Sequence, residues 1–157
     1  MFKNPYVKNF LSVLAVAVFG FILLNLTFLF DYLVQTLIRV PLTWFLPAGF
    51  EMTYWWVPPF MHTMFVVIIA LISWFVFKSK LGKIYKAIYS TVPLAVTFVT
   101  FGIMLYRWPA LVYSVSALVF GVILVYLYRT KKPWLYYYTV ILVALSLLIF
   151  TLSGGEI

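Results

Sequence analysis

Cysteine is absent from this 157-residue chain, and histidine occurs once, at His62. Without cysteine the chain has no disulfide, thiol nucleophile, iron–sulfur ligand or thiolate zinc site. A single histidine also excludes a bis-histidine haem and a 2-His-1-carboxylate iron site. Only three residues are acidic, and there is no phosphate-binding loop, nucleophile elbow or pair of catalytic carboxylates. The sequence therefore predicts no catalytic or cofactor-binding residue.

Charge is scarce as well: 9% of the residues are charged and 66% are hydrophobic, with a mean hydropathy of +1.12. A soluble domain of this length exposes too much of its surface to hide so many apolar side chains. Lipid, or lipid together with other subunits, must therefore cover the surface. We predict an all-α integral membrane protein with lipid as a partner.

Five apolar stretches are close to the ~20 residues that a helix needs to cross the hydrocarbon. They lie at about 10–30, 60–77, 84–106, 109–128 and 134–152. The first is too long for a signal peptide and lacks a small-residue cleavage site after it, so we interpret it as a retained anchor. The prediction is a single transmembrane domain, a bundle of five helices.

The basic residues are confined to short segments between these stretches, which predicts the orientation. With the N-terminus inside, the inner segments contain Lys3, Lys8, Lys78, Lys80, Lys83, Lys86, Arg129, Lys131 and Lys132. The outer segments contain only Arg39 and Arg107. We therefore expect the N-terminus inside and the C-terminus outside. Orientation also explains the net charge of +8, so we expect no nucleic-acid partner.

The location most consistent with this pattern is a prokaryotic cell membrane, crossed several times. Asparagine and glutamine are limited to Asn4, Asn9, Asn25 and Gln35. Together with the absence of cysteine, this scarcity is typical of a thermophilic host, although five methionines argue against one.

Small and hydroxylated residues recur at helical spacing in the third and fourth stretches. They are Ser90, Pro93, Thr97 and Thr100, followed by Ser114, Ala117 and Gly121. Such stripes let membrane helices approach closely and form hydrogen bonds between helices. We interpret both as helix-packing faces, and Ala117 with Gly121 as a close contact between the two helices. The alternative is a permeation path lined by hydroxyl groups.

Two further groups could carry chemistry. Met61, His62 and Met64 combine thioethers with imidazole, a ligand set that suits Cu(I), but the His62 position is off the face that the methionines share. An interfacial histidine among gap-filling methionines is the favoured interpretation. Asp31 could carry protons, but its predicted depth near the outer interface favours a solvated helix end.

The stretch between Pro41 and Pro59 is predicted to be an outer loop, because its prolines disfavour a continuous helix. It is too apolar to face water alone, so we expect it to dock on a partner or on lipid. Glu51 is expected to face solvent in this loop. The residues expected at the interface are aromatic: Trp44, Phe45, Phe50, Tyr54, Trp55 and Trp56.

Three functions follow from this interpretation. The first is a non-catalytic accessory subunit of a larger membrane complex, such as an energy-converting or oxidase assembly, with other membrane subunits as partners. The second is a small oligomeric channel or transporter that uses the hydroxyl stripe. The third is an enzyme acting on lipid or quinone at the outer interface, through His62, Glu51 and Tyr54.

Overall fold

The computed structural model describes residues 5–45, 54 and 56–152, and within them the chain forms five helices and no strand. The helices are α1 (Pro5–Phe45), α2 (Val57–Lys78), α3 (Lys83–Met104), α4 (Pro109–Arg129) and α5 (Trp134–Leu152). All five are long and apolar enough to cross a membrane. The predicted all-α architecture with five candidate spans is confirmed. The orientation across the membrane stays a prediction.

The first helix is much longer than the span predicted at about 10–30. It has 41 residues, about 60 Å at 1.5 Å per residue, against a hydrocarbon thickness of about 30 Å. Pro41 lies inside this helix. Pro58 lies in the first turn of α2, where the backbone N–H groups have no partner within the helix, so proline is tolerated there. The loop expected over 41–59 is therefore shorter, because 41–45 and 57–59 are helical. Residues 46–53 and 55 lie outside the described residues.

The bundle has two distinguishable ends. We call the end with the linkers 79–82 and 130–133 the basic end, because it carries Lys80, Lys83, Lys131 and Lys132. The aromatic end is the opposite one, where α1 ends at Phe45, α2 begins at Val57, and residues 105–108 join α3 to α4. Val16 of α1 packs with Ala87 and Leu135, which lie near the starts of α3 and α5, so the N-terminal half of α1 belongs to the basic end.

The third helix occupies the centre and contacts each of the other four. Its buried residues are mostly small or hydroxylated, which lets neighbouring helices approach. The closest approach joins α3 to α1, since a Cβ atom built on Gly20 would lie 2.8 Å from Cγ2 of Thr91. On another side, the buried Thr139 hydroxyl of α5 lies 3.2 Å from the carbonyl of Ala87. By contrast, α4 is peripheral and buries only Leu127.

Candidate functional site

Three polar side chains from α1, α2 and α3 lie near one another in the part of the bundle toward the aromatic end. His62 is in the second turn of α2, and Thr100 is close to the end of α3 at Met104. Asp31 of α1 lies within electrostatic range of the His62 ring. Ring contacts link the two helices in this region: Phe30, the neighbour of Asp31, lies against Phe65 with ring centroids 6.3 Å apart, and the Phe65 ring lies 6.1 Å from that of His62. We call Asp31, His62 and Thr100 the polar cluster.

The His62 ring is 6% exposed and hydrogen-bonds to α3. Its Nε2 atom lies 3.0 Å from Oγ1 of Thr100, and that hydroxyl lies 2.6 Å from the carbonyl oxygen of Val96. A hydroxyl has one proton, and the carbonyl can only accept. The Thr100 proton is therefore assigned to Val96, and Nε2–H of His62 donates to Thr100. This assignment follows from the hydrogen-bond network.

The Asp31 carboxylate is the unusual member of the polar cluster. Its Oδ1 atom is buried without a hydrogen-bond partner, and it is the only such side-chain nitrogen or oxygen among the described residues. Burying an unpaired polar atom is costly, and ionisable groups inside membrane bundles are commonly functional. The solvated helix end expected for Asp31 is not what the structure shows. The helix continues past Asp31 and packs on α2 through Ile38 and Leu42, so the carboxylate is held inside.

The candidate copper ligands face different surroundings. Met61 is buried in a cluster with Val57, Ile38 and Leu42, whereas Met64 is exposed, and Nε2 of His62 is bonded to Thr100. In the described parts of the chain, His, Asp and Glu side chains form no group of three that could hold a metal ion. Copper binding stays the less favoured alternative, and this geometry does not strengthen it.

The hydroxyl stripe on α3 divides between two sides of the helix. Ser90, Pro93 and Thr97 line one cavity between α3, α4 and α5, while Thr100 bonds to α2. The Ser90 hydroxyl donates to the carbonyl of Ala87, and that of Thr97 donates to Pro93. Because these protons are used within the helix, the stripe supports packing better than a chain of hydroxyl groups along a pore.

The close contact predicted at Ala117 and Gly121 is not formed. A Cβ atom on Gly121 would have no neighbour within 4 Å, and Ala117 and Ser114 are exposed on the peripheral helix α4. The glycine that does permit a close approach is Gly20, which the sequence interpretation missed. Gly20 differs from Gly121 only in lying opposite Thr91 of a neighbouring helix. The sequence alone does not show which helices are neighbours, so it could not identify this contact.

An apolar cavity of about 570 Å³ lies between α1, α3 and α5, with Phe21, Leu24 and Val143 among its walls. The amide of Asn25, in the same wall, donates to the carbonyl of Phe21. The lining is thus suited to an acyl or prenyl chain, which needs no polar partner.

The predicted interface residues lie at the aromatic end where the structure describes them. Trp44 and Phe45 are 75% and 83% exposed, and Trp56 is also exposed. Tyr54 packs on the Val57–Met61 cluster, with its ring 6.4 Å from that of Trp56. The Trp56 ring in turn lies 6.0 Å from Phe60. We call Trp44, Phe45, Trp56 and Phe60 the aromatic surface. Phe50 and Trp55 lie outside the described residues, as does Glu51.

Function must be inferred from these residues themselves. The chain matches no protein-family model, no curated protein and no solved structure.

Proposed function

We propose that this protein is a non-catalytic accessory subunit of a larger membrane complex in a prokaryotic cell membrane. Its basic end faces the cytoplasm, because short loops rich in lysine are retained on that side. Its aromatic end faces outward and docks on another membrane subunit through the aromatic surface.

The exposure of Trp44 and Phe45 carries this proposal. Leu42 packs on the cluster that Val57 and Met61 form in the first two turns of α2, so the two rings that follow it lie near the level where α2 begins. Hydrocarbon can cover exposed side chains along the middle of α1, but it does not reach past the ends of the other helices. Two large rings projecting there need a protein surface or the headgroup layer to cover them.

A protein partner would gain substantially from these rings. Burying a large apolar side chain contributes about 1.5–3 kcal/mol, and tryptophan is among the residues that dominate measured interface energies. The rings extend from a long helix that is anchored on α2, so little conformational freedom is lost when they dock. The aromatic surface therefore has the composition and rigidity of the energetic centre of an interface.

The test compares two tryptophan–phenylalanine pairs. Trp74 and Phe75, which lie in the last turns of α2 near the basic end, are 66% and 70% exposed, close to the values for Trp44 and Phe45. The tagged chain is purified from its native membrane in mild detergent, and its native mass and co-purifying chains are determined. We expect unlike subunits in a fixed ratio. Trp44→Ala with Phe45→Ala should release them, and Trp74→Ala with Phe75→Ala should not.

Two results would contradict this function. A wild-type preparation containing copies of this chain alone would exclude an accessory subunit. Retention of every partner by the Trp44→Ala, Phe45→Ala variant would mean that these rings sit among lipid headgroups and make no interface.

The polar cluster favours a second candidate, a small transporter that moves protons. Asp31, with one buried carboxylate oxygen, lies within electrostatic range of His62, and chains of Asp, Glu and His side chains form intramembrane proton relays. The test is proton uptake into liposomes containing the purified chain, with Asp31→Asn compared to the wild type. Equal uptake by the two, at the level of empty liposomes, would eliminate this candidate.

A further inference from the structure

At the basic end, a cavity of about 620 Å³ lies between the end of α2 and helices α3, α4 and α5. Three lysines line it: Lys83 and Lys86 from the start of α3, and Lys132 from the linker before α5. Its deeper wall is apolar and includes Leu94, Ile123, Leu127 and Val140. The volume is within the range of ligand sites in proteins. The cavity therefore combines a cationic mouth with an apolar interior.

No carboxylate near the mouth is available to neutralise these lysines within the described residues. The chain has three acidic residues, and the one that the structure describes, Asp31, belongs to the polar cluster near the opposite end. Lys86 is partly committed, since its Nζ atom lies 2.7 Å from the carbonyl oxygens of both Phe77 and Ser79. Lys83 and Lys132 make no such bonds to the described residues and remain available for an anion.

The backbone adds to the positive potential at this mouth. The helices α3 and α5 begin here with no acidic residue in the first turn, so their unpaired N–H groups present partial positive charge. The helices α2 and α4 end here, and some of the carbonyls at these ends are bonded. Lys86 donates to the carbonyls of Phe77 in α2 and of Ser79 just after it, and the amide of Lys132 donates to Leu127 of α4. These bonds reduce the negative potential of the two C-terminal ends, whereas no acidic residue offsets the positive potential of the two N-terminal ends.

We propose that this cavity binds an anionic phospholipid from the leaflet at the basic end. The phosphate lies between Lys83 and Lys132, and an acyl chain follows the apolar wall past Leu94 and Ile123. Basic pockets between transmembrane helices bind anionic headgroups in this way. A zwitterionic lipid is a poorer ligand because its own ammonium group competes for the phosphate. A free phosphate ion is poorer because it leaves the apolar wall empty.

The experiment uses the full chain, purified in uncharged detergent and stripped of lipid. The probes are dioleoyl phosphatidylglycerol, dioleoyl phosphatidylcholine and inorganic phosphate. Melting temperature gives affinity, and native mass spectrometry gives stoichiometry. We expect phosphatidylglycerol to raise the melting temperature saturably with one lipid per chain, and the other two probes to have little effect.

Lys83→Gln with Lys132→Gln should weaken phosphatidylglycerol binding about 30-fold, since each lysine near a membrane surface contributes roughly a factor of five. The matched control is Lys80→Gln with Lys131→Gln. It removes the same charge from the same end of the bundle, at residues that do not line the cavity. This variant should bind within about twofold of the wild type. Melting without lipid shows whether each variant is folded.

A second variant tests the apolar wall separately. Ile123→Trp fills the interior and leaves every lysine in place, so it should also abolish saturable binding. If both lysine double variants lost the same affinity for phosphatidylglycerol, binding would depend on diffuse surface charge and the proposal would be overturned. Phosphate binding as tight as that of phosphatidylglycerol, or undiminished lipid binding by Ile123→Trp, would also overturn it.

Discussion

Replacing Gly20 by alanine tests the closest helix contact in the bundle. The new Cβ atom would lie 2.8 Å from Cγ2, 3.5 Å from Oγ1 and 3.6 Å from Cβ of Thr91. The first distance is well inside the 3.5–4.0 Å optimum for two carbon atoms. Thr91 cannot rotate away freely, because it is almost fully buried and its hydroxyl donates to the carbonyl of Ile88 at 2.7 Å. The helices α1 and α3 must therefore separate.

The loss of stability caused by Gly20→Ala is best measured relative to Gly121→Ala. Both substitutions gain up to about 1 kcal/mol of helix propensity, so their difference isolates the cost of overpacking. That cost is about 1–3 kcal/mol for an added methyl group in a packed site, whereas the Gly121 side is open. For a chain of this size, 1 kcal/mol corresponds to about 2–4 °C. Gly20→Ala should melt about 2–12 °C below Gly121→Ala in the same detergent.

Thr91→Ser completes the cycle, because it removes the Cγ2 atom that the new Cβ would meet and retains the hydroxyl. Gly20→Ala should cost clearly less in the Thr91→Ser background than in the wild type, and this difference is the coupling between the two sites. If Gly20→Ala is as stable as Gly121→Ala, or if Thr91→Ser gives no relief, the helices do not meet here as described.

Three other predictions follow from the same structure. A reporter active only outside the cell should work when fused after Ile157 and fail when inserted at Lys80; the reverse pattern would invert the orientation. In lipid-free detergent, Lys86→Met should lower the melting temperature by the equivalent of about 1 kcal/mol or more, because the carbonyls of Phe77 and Ser79 at the end of α2 lose a charged donor. Lys83→Met should be close to neutral under the same conditions. Thr100→Val should cost about 1–3 kcal/mol by leaving the His62 N–H buried without an acceptor, whereas Thr100→Ser should retain most of the stability in the same melting assay.

The helices themselves could be predicted because apolar length is a local property. The fifth stretch, predicted at 134–152, coincides with α5, and the second, predicted at 60–77, begins three residues after α2 does. The end of α1 was missed because proline was weighed as a helix breaker, although Pro41 removes only one helical bond. Gly20 and Gly121 have similar apolar neighbours in sequence, so only the packing of α3 beside α1 reveals which one matters.

The centre of the bundle shows why a single polar stripe on α3 was too simple. A helix with four neighbours needs small side chains on several of its faces. In α3, Thr91 faces α1, Thr100 faces α2, and Ser90 and Thr97 line the cavity at the basic end. Each of these four hydroxyls donates to a carbonyl of its own helix, so it packs much as a small apolar residue would. Thr100 differs from the other three in having its oxygen approached by a second donor, His62. That additional bond, and not the presence of a hydroxyl, marks the polar cluster as a candidate site.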